Sequence, residues 1–243
     1  MKRLSMLWII AGVIFIQNPA YAKRKVTFLA DDGVTITADL YFKEARLPYV
    51  VLFHQDGCSR GEYNEIAEKI MNLNYNCLAV DLRCGDQVNY VENETARYAK
   101  NYGYKCTYNT SEHDVRAALQ YAYKKSEQPV ILFGSAFSAS LCLKVALNDA
   151  RISAVVAFDP GEYLKPEYTL KEHMKDIDKP VFIAANKANL PYVKKMFLDT
   201  EISHLTYFTP SNGKGERGSK ALWEKSANNK EYWLALLMFF SKL

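Results

Sequence analysis

"VILFGSAFSAS", residues 130–140, sets the fold of this chain. Val130 to Phe133 is an unbroken apolar run of strand length, and such runs belong to strands covered on both faces, as in a parallel sheet. The run leads into a turn of very small residues around one bulky Phe137. Small residues gather where a strand bends sharply into a helix, because the apex backbone is strained and side chains two positions away would collide.

On either side of this stretch, the same alternation of strand and helix recurs. "KVTFLA" (25–30) and "TITADLYF" (35–42) alternate around "DDG" and predict an antiparallel hairpin, while "YVVLFH" (49–54) and "CLAVDL" (77–82) are buried strands. Between these two, "EYNEIAEKIMNL" places Ile66, Ile70 and Leu73 on one helical face. "SEHDVRAALQYAYKK" is a second such helix, with Ser111 and Asp114 as a capping-box signal. "LCLKVAL" (141–147) continues the turn as a helix, "ISAVVAF", "KPVFIAA" and "HLTYFTP" add three strands, and "KEYWLALLMFFSKL" closes the chain as a helix. Strands alternating with helices of this length predict an α/β protein: a three-layer α/β/α sandwich, its mostly parallel sheet of about eight strands opening with the hairpin. Ligands of such sheets bind at the carboxyl ends of the strands.

The first 22 residues, "MKRLSMLWIIAGVIFIQNPAYA", have Lys2 and Arg3, an apolar run from Leu7 to Ile16, and the small pair Ala20 and Ala22. That is the layout of a cleavable signal peptide, too short in its apolar part for the ~20 residues of a spanning helix. Residues 23–243 are then one domain, periplasmic or secreted, with no membrane span after cleavage. The whole chain has 31 basic and 27 acidic residues, net +4, and the leader holds Lys2 and Arg3 alone among them. A nearly neutral remainder argues against a nucleic-acid partner.

Five cysteines lie beyond the leader. Cys77 and Cys142 sit in apolar runs and are expected in the core. Cys84 and Cys106 flank a polar stretch and are expected to pair, a bridge worth about 3 kcal/mol by the chain-entropy model. No CxxC or HxxxH spacing occurs, so neither metal nor cofactor is expected.

Chemistry is therefore sought at the strand ends: "FHQDGCSRGEY", "FGSAFSAS", "FDPGEY" with "AANKAN", and "GKGERGSKAL". Together, in this element order, they resemble the α/β-hydrolase superfamily, specifically its dienelactone hydrolase and serine esterase branch. The resemblance implies a nucleophile at the turn apex, an acid after "KPVFIAA", a base after the last strand and an oxyanion hole of backbone amides. Two registers of the turn fit. Beginning at Gly134, directly after the strand, it places Ala136 at the apex; beginning at Ala136, it places Ser138 there. The first has the tighter spacing, and Ser135 is excluded because Phe133 and Phe137 would flank it.

At the base position stands Arg217, before Gly218, and no His follows His204. At the acid position stand Asn186 and Asn189, and Asp159 is the one carboxylate at a neighbouring strand end. Arginine cannot act as the base because it stays protonated. No intact triad is expected: the three positions read Ala136, Asn189 and Arg217, with Ser138 and Asp159 as fallback nucleophile and acid. The amides of Gln55, Asp56 and Phe137 form the expected oxyanion-like hole. With Arg217 they suit a small anion such as a carboxylate. The long connection 81–114, rich in Tyr and Asn, is expected to arch over the cleft. Three functions stay open: a ligand- or partner-binding protein of the cell envelope that has lost hydrolysis, an active carboxylester hydrolase using Ser138, and a structural subunit of an envelope assembly.

Overall fold

In the computed structural model, which describes residues 22–147 and 149–243, the alternation of elements becomes one eight-stranded sheet. In chain order the strands and α-helices are β1 (Ala22–Leu29), β2 (Thr35–Phe42), β3 (Tyr49–Phe53), α1 (Asn64–Met71), β4 (Asn76–Val80), α2 (Glu94–Asn101), α3 (Glu112–Ser126) and β5 (Val130–Ser135). They continue with α4 (Phe137–Ala146), β6 (Ile152–Phe158), α5 (Leu170–His173), β7 (Val181–Ala184), α6 (Leu190–Met196), β8 (Leu205–Phe208) and α7 (Asn229–Phe240). The sheet order is β1-β2-β4-β3-β5-β6-β7-β8, antiparallel through β1, β2 and β4 and parallel from there on. The expected signal peptide lies outside the described residues, apart from Ala22.

Two apolar layers clothe the sheet. One joins Val51, Leu132 and Val155 to Leu119 of α3, Leu141 of α4 and Val193 of α6. The other joins Leu52, Phe133 and Phe182 to Ile66 and Ile70 of α1 and Leu236 and Phe239 of α7. Alternate residues of each strand serve opposite layers, which is why the central strands read as continuous apolar runs. Burying each such side chain contributes about 1.5–3 kcal/mol, so the centre of the sheet is the rigid platform from which the strand ends project.

The connection between β4 and α3 contains α2 and is held by buried ion pairs. The Arg83 guanidinium meets Asp114 at 2.7 Å and Asp32 at 2.5 Å, and Arg60 meets Asp81 at 2.5 Å and Glu94 at 2.7 Å. Asp114 is thereby diverted from the expected capping box, and the Ser111 hydroxyl instead donates to the Thr107 carbonyl.

The expected Cys84–Cys106 disulfide is not formed, and all five cysteines are free thiols. Cys106 is exposed and turns its sulfur toward the Tyr104 carbonyl of its own loop, 3.7 Å away, while Cys84 is half-buried. The ion pairs take over the pinning of the loop that the bridge was expected to supply.

Candidate functional site

The turn after β5 is strained as its small residues require. Ala136 has φ 54° and ψ −115°, and its amide donates to the Phe158 carbonyl at 2.8 Å, setting the turn against the end of β6. Such a backbone is costly for any residue with a side chain and persists only when its surroundings impose it. Gly134 allows α4 to close down on the strand, since a Cβ there would lie 2.5 Å from the Ala139 backbone. The apex of the turn thus carries a methyl group.

Ser138 faces the other way. It is fully buried; its hydroxyl lies 2.7 Å from the Phe53 carbonyl and 3.0 Å from the Ser135 carbonyl, and it accepts the Ser135 amide at 2.9 Å. A hydroxyl so engaged fastens α4 to β3 and β5 and has no access to a ligand. Ser140 is also spent inward, bridging the Gly161 carbonyl and amide.

At the end of β6, Asp159 also takes a left-handed backbone, φ 47°, anchored by its amide to the Ala184 carbonyl. This aims its carboxylate between two distant segments. Oδ1 accepts the Asn189 side-chain amide at 3.0 Å, and Oδ2 accepts the Gly218 backbone amide at 2.7 Å. Burial pushes the Asp159 carboxyl above the usual carboxylate range, against these two hydrogen bonds and the nearby Arg217 charge. Asn189, Asp159 and Gly218 therefore meet although 30 and 59 residues of chain separate them.

Arg217 donates to the Tyr163 hydroxyl at 2.7 Å, and no carboxylate among the described residues lies within 4.0 Å of its guanidinium. Glu162, in the loop after β6, instead accepts the amides of Leu170 and Lys171. Asp159, Tyr163, Asn186, Asn189, Tyr192 and Arg217 line a cavity of about 310 Å³. The loop before α3 reaches this region through Tyr108, whose ring stacks on Phe137 at 4.5 Å and meets Tyr163 edge-on at 6.2 Å. Tyr108 also lines a larger cavity of about 770 Å³ bordered by Asp56, Arg83, Cys84, Lys100 and Cys106.

Of the three expected oxyanion amides, Gln55 is engaged elsewhere: it donates to the buried Glu62 carboxylate at 3.0 Å. That correction follows from Glu62, which also meets the Ser219 hydroxyl and ties the β3 loop to the segment after Arg217. Glu62 was invisible as a site residue because its partner stands 157 residues away. The Phe137 amide, first in α4, has no intrahelical acceptor one turn back.

None of the four histidines serves the turn. His54 is fully buried, with Nε2 accepting the Leu82 amide at 2.9 Å, and burial lowers its pKa. His113 pairs with Asp31, His173 stacks on Tyr168, and His204 contacts the Ile177 carbonyl.

Residues 29–195 match the model of the dienelactone hydrolase family. The chain belongs to that family. Among solved structures it is similar to esterase Pf2001 of Pyrococcus furiosus (TM-score 0.72, 15% identity, 91% of this chain and 93% of that one). It is also similar to a dienelactone hydrolase of Anabaena variabilis (TM-score 0.65, 14% identity, 90% and 95%). A dienelactone hydrolase-like promiscuous phosphotriesterase from metagenomic libraries gives TM-score 0.60 at 19% identity, covering 91% and 98%. At these identities the likeness is one of fold. No curated protein sequence matches the chain.

Proposed function

We propose that this dienelactone hydrolase family member does not hydrolyse esters and instead binds a small carboxylate in the cavity beside Arg217, as an exported protein of the cell envelope. The observation that carries the proposal is the Ala136 methyl at the apex of a strained strand-to-helix turn. A methyl cannot attack a carbonyl, and an ester hydrolase needs a nucleophile whose proton is taken by a base. Arg217 supplies charge where proton transfer would be needed, and its guanidinium is free of carboxylate partners among the described residues. Planar guanidinium groups recognise carboxylates through paired hydrogen bonds. Asn186, Asn189 and Tyr192 add polar groups around the same cavity. Export rests on residues 1–22.

The alternative is an active ester hydrolase using Ser138, in keeping with the family and the esterase neighbours. The inward hydrogen bonds of Ser138 weigh against it. A structural subunit of an envelope complex would have no use for an arginine without a carboxylate partner in a cavity.

Two measurements test the proposal. Incubation with short-chain p-nitrophenyl esters is expected to give no turnover above the solvent rate; turnover abolished by Ser138→Ala overturns it. Titration with acetate, succinate and benzoate is expected to show saturable binding, weakened by Arg217→Ala by roughly 10- to 100-fold, the worth of a charge-assisted hydrogen bond. Equal binding by parent and variant would move the ligand away from Arg217.

A further inference from the structure

One pair of aromatic rings is common to two cavities. Tyr163 lines the cavity of about 310 Å³ beside Arg217, Tyr108 lines the cavity of about 770 Å³ built by the β4–α3 connection, and the two rings meet edge to face with centroids 6.2 Å apart. Both rings are held from behind. Phe137, the residue after the apex, stacks on one face of Tyr108 at 4.5 Å, and the Tyr163 hydroxyl accepts the Arg217 guanidinium at 2.7 Å. Phe137, Tyr108, Tyr163 and Arg217 therefore form a continuous row from the turn to the charge.

The two ends of this row differ in chemistry. At one end the guanidinium has no carboxylate partner among the described residues, and Pro160, Val193 and the Tyr192 ring add apolar surface beside Tyr163. At the other end the charges offset one another: Arg83 is spent on Asp32 and Asp114, and Lys100 is balanced by Asp56, while Ala96 and Tyr104 continue the wall. A single charged anchor with a wall of rings is the make-up of a site for an organic anion with an uncharged body, and both volumes lie within the roughly 300–1,000 Å³ of small-molecule sites. Acetate would reach Arg217 and leave the rings unused. A second carboxylate on the ligand would approach Asp56. Aromatic rings attract one another edge to face or in offset stacks beyond what burial alone gives, so a flat ring gains more along this row than a flexible chain.

Resting on the reading that Arg217 holds a carboxylate, we propose that the ligand is an aryl-substituted monocarboxylate, its carboxylate on Arg217 and its ring against Tyr163 and Tyr108, where the larger cavity begins. Tyr108 is then the residue that sets the preference for ring-bearing acids.

The test is calorimetric titration of the whole protein with acetate, octanoate and 3-phenylpropionate at one pH and ionic strength, octanoate serving as the flexible control. 3-Phenylpropionate is expected to bind at least about tenfold tighter than acetate, and tighter than octanoate. Tyr108→Ala is expected to cut the preference for 3-phenylpropionate over acetate about fivefold, and Tyr108→Phe, which keeps the ring, to retain it. Octanoate binding as tightly as 3-phenylpropionate overturns the proposal, as does a preference that survives Tyr108→Ala; the carboxylate reading stands in either case provided that Arg217→Ala weakens every acid. Should Tyr108→Ala fail to fold, the comparison of octanoate with 3-phenylpropionate in the parent decides. Binding of none of the three acids overturns both readings.

Discussion

Asn189 donates its side-chain amide to the Asp159 carboxylate at 3.0 Å, and the other oxygen of that carboxylate holds the amide of Gly218, the residue after Arg217. An acid is thus poised beside the place where a base would stand, with an amide where the resemblance set the acid and a guanidinium in place of the base.

That arrangement makes restoration of chemistry testable. Ala136→Ser combined with Arg217→His puts a hydroxyl at the strained apex and an imidazole next to Asp159. Hydrolysis of p-nitrophenyl acetate by the folded double variant is expected to exceed the parent by at least about 10²-fold, the lower range for a positioned general base. A folded double variant no faster than the parent would refute the view that acid and apex have kept their geometry.

Ser138→Ala tests the opposite assignment. Removing the hydroxyl leaves the buried Ser135 amide without its acceptor, so stability is expected to fall by about 1–3 kcal/mol in urea unfolding while ligand binding is retained.

Carboxylate binding should depend on pH through Asp159. Its folded pKa is raised above 3.8 by burial, so it stays protonated into a range where an exposed carboxyl has ionised. As pH rises through that raised value, Asp159 gains a negative charge in the Arg217 cavity and repels an ionised carboxylate ligand. Affinity measured by calorimetry is expected to fall as pH rises through that raised pKa, and Asp159→Asn is expected to flatten the curve.

The loop between β4 and α3 depends on its buried ion pairs. Asp114→Ala strips Arg83 of a fully buried partner, which costs about 3–5 kcal/mol in general. Because Asp32 still faces the guanidinium, a loss near the lower end is expected. Amide exchange of residues 83–111 should accelerate more than that of the sheet.

Much of the fold was legible locally. Period-two and period-3.6 patterns and the apolar runs mark every strand and the helices α1, α3, α4 and α7, because each must offer one or both faces to a core, whereas α2 lies unmarked in the polar connection 81–114. The local pattern of small residues fits either Ala136 or Ser138 at the apex of the elbow, and it is the left-handed backbone of Ala136, φ 54°, that separates the two registers. Less legible were the fates of polar side chains. Ser111 and Asp114 have the spacing of a cap, yet Arg83, 31 residues away, competes successfully for Asp114. Cys84 and Cys106 flank a polar stretch, outside any core pattern, yet no bond joins their sulfurs, and that of Cys106 turns to the Tyr104 carbonyl.

The order of strands and helices, the small residues of the turn after Phe133 and the lack of any histidine after His204 are written in the chain itself. Those are properties of composition and local pattern. Three-dimensional packing was needed to bring Asn189 and Gly218 to Asp159, to draw the Gln55 amide onto Glu62, and to turn Ser138 inward. Each of these is a hydrogen bond whose partner is chosen by strand order and by the close approach of buried groups that must be satisfied once water is gone.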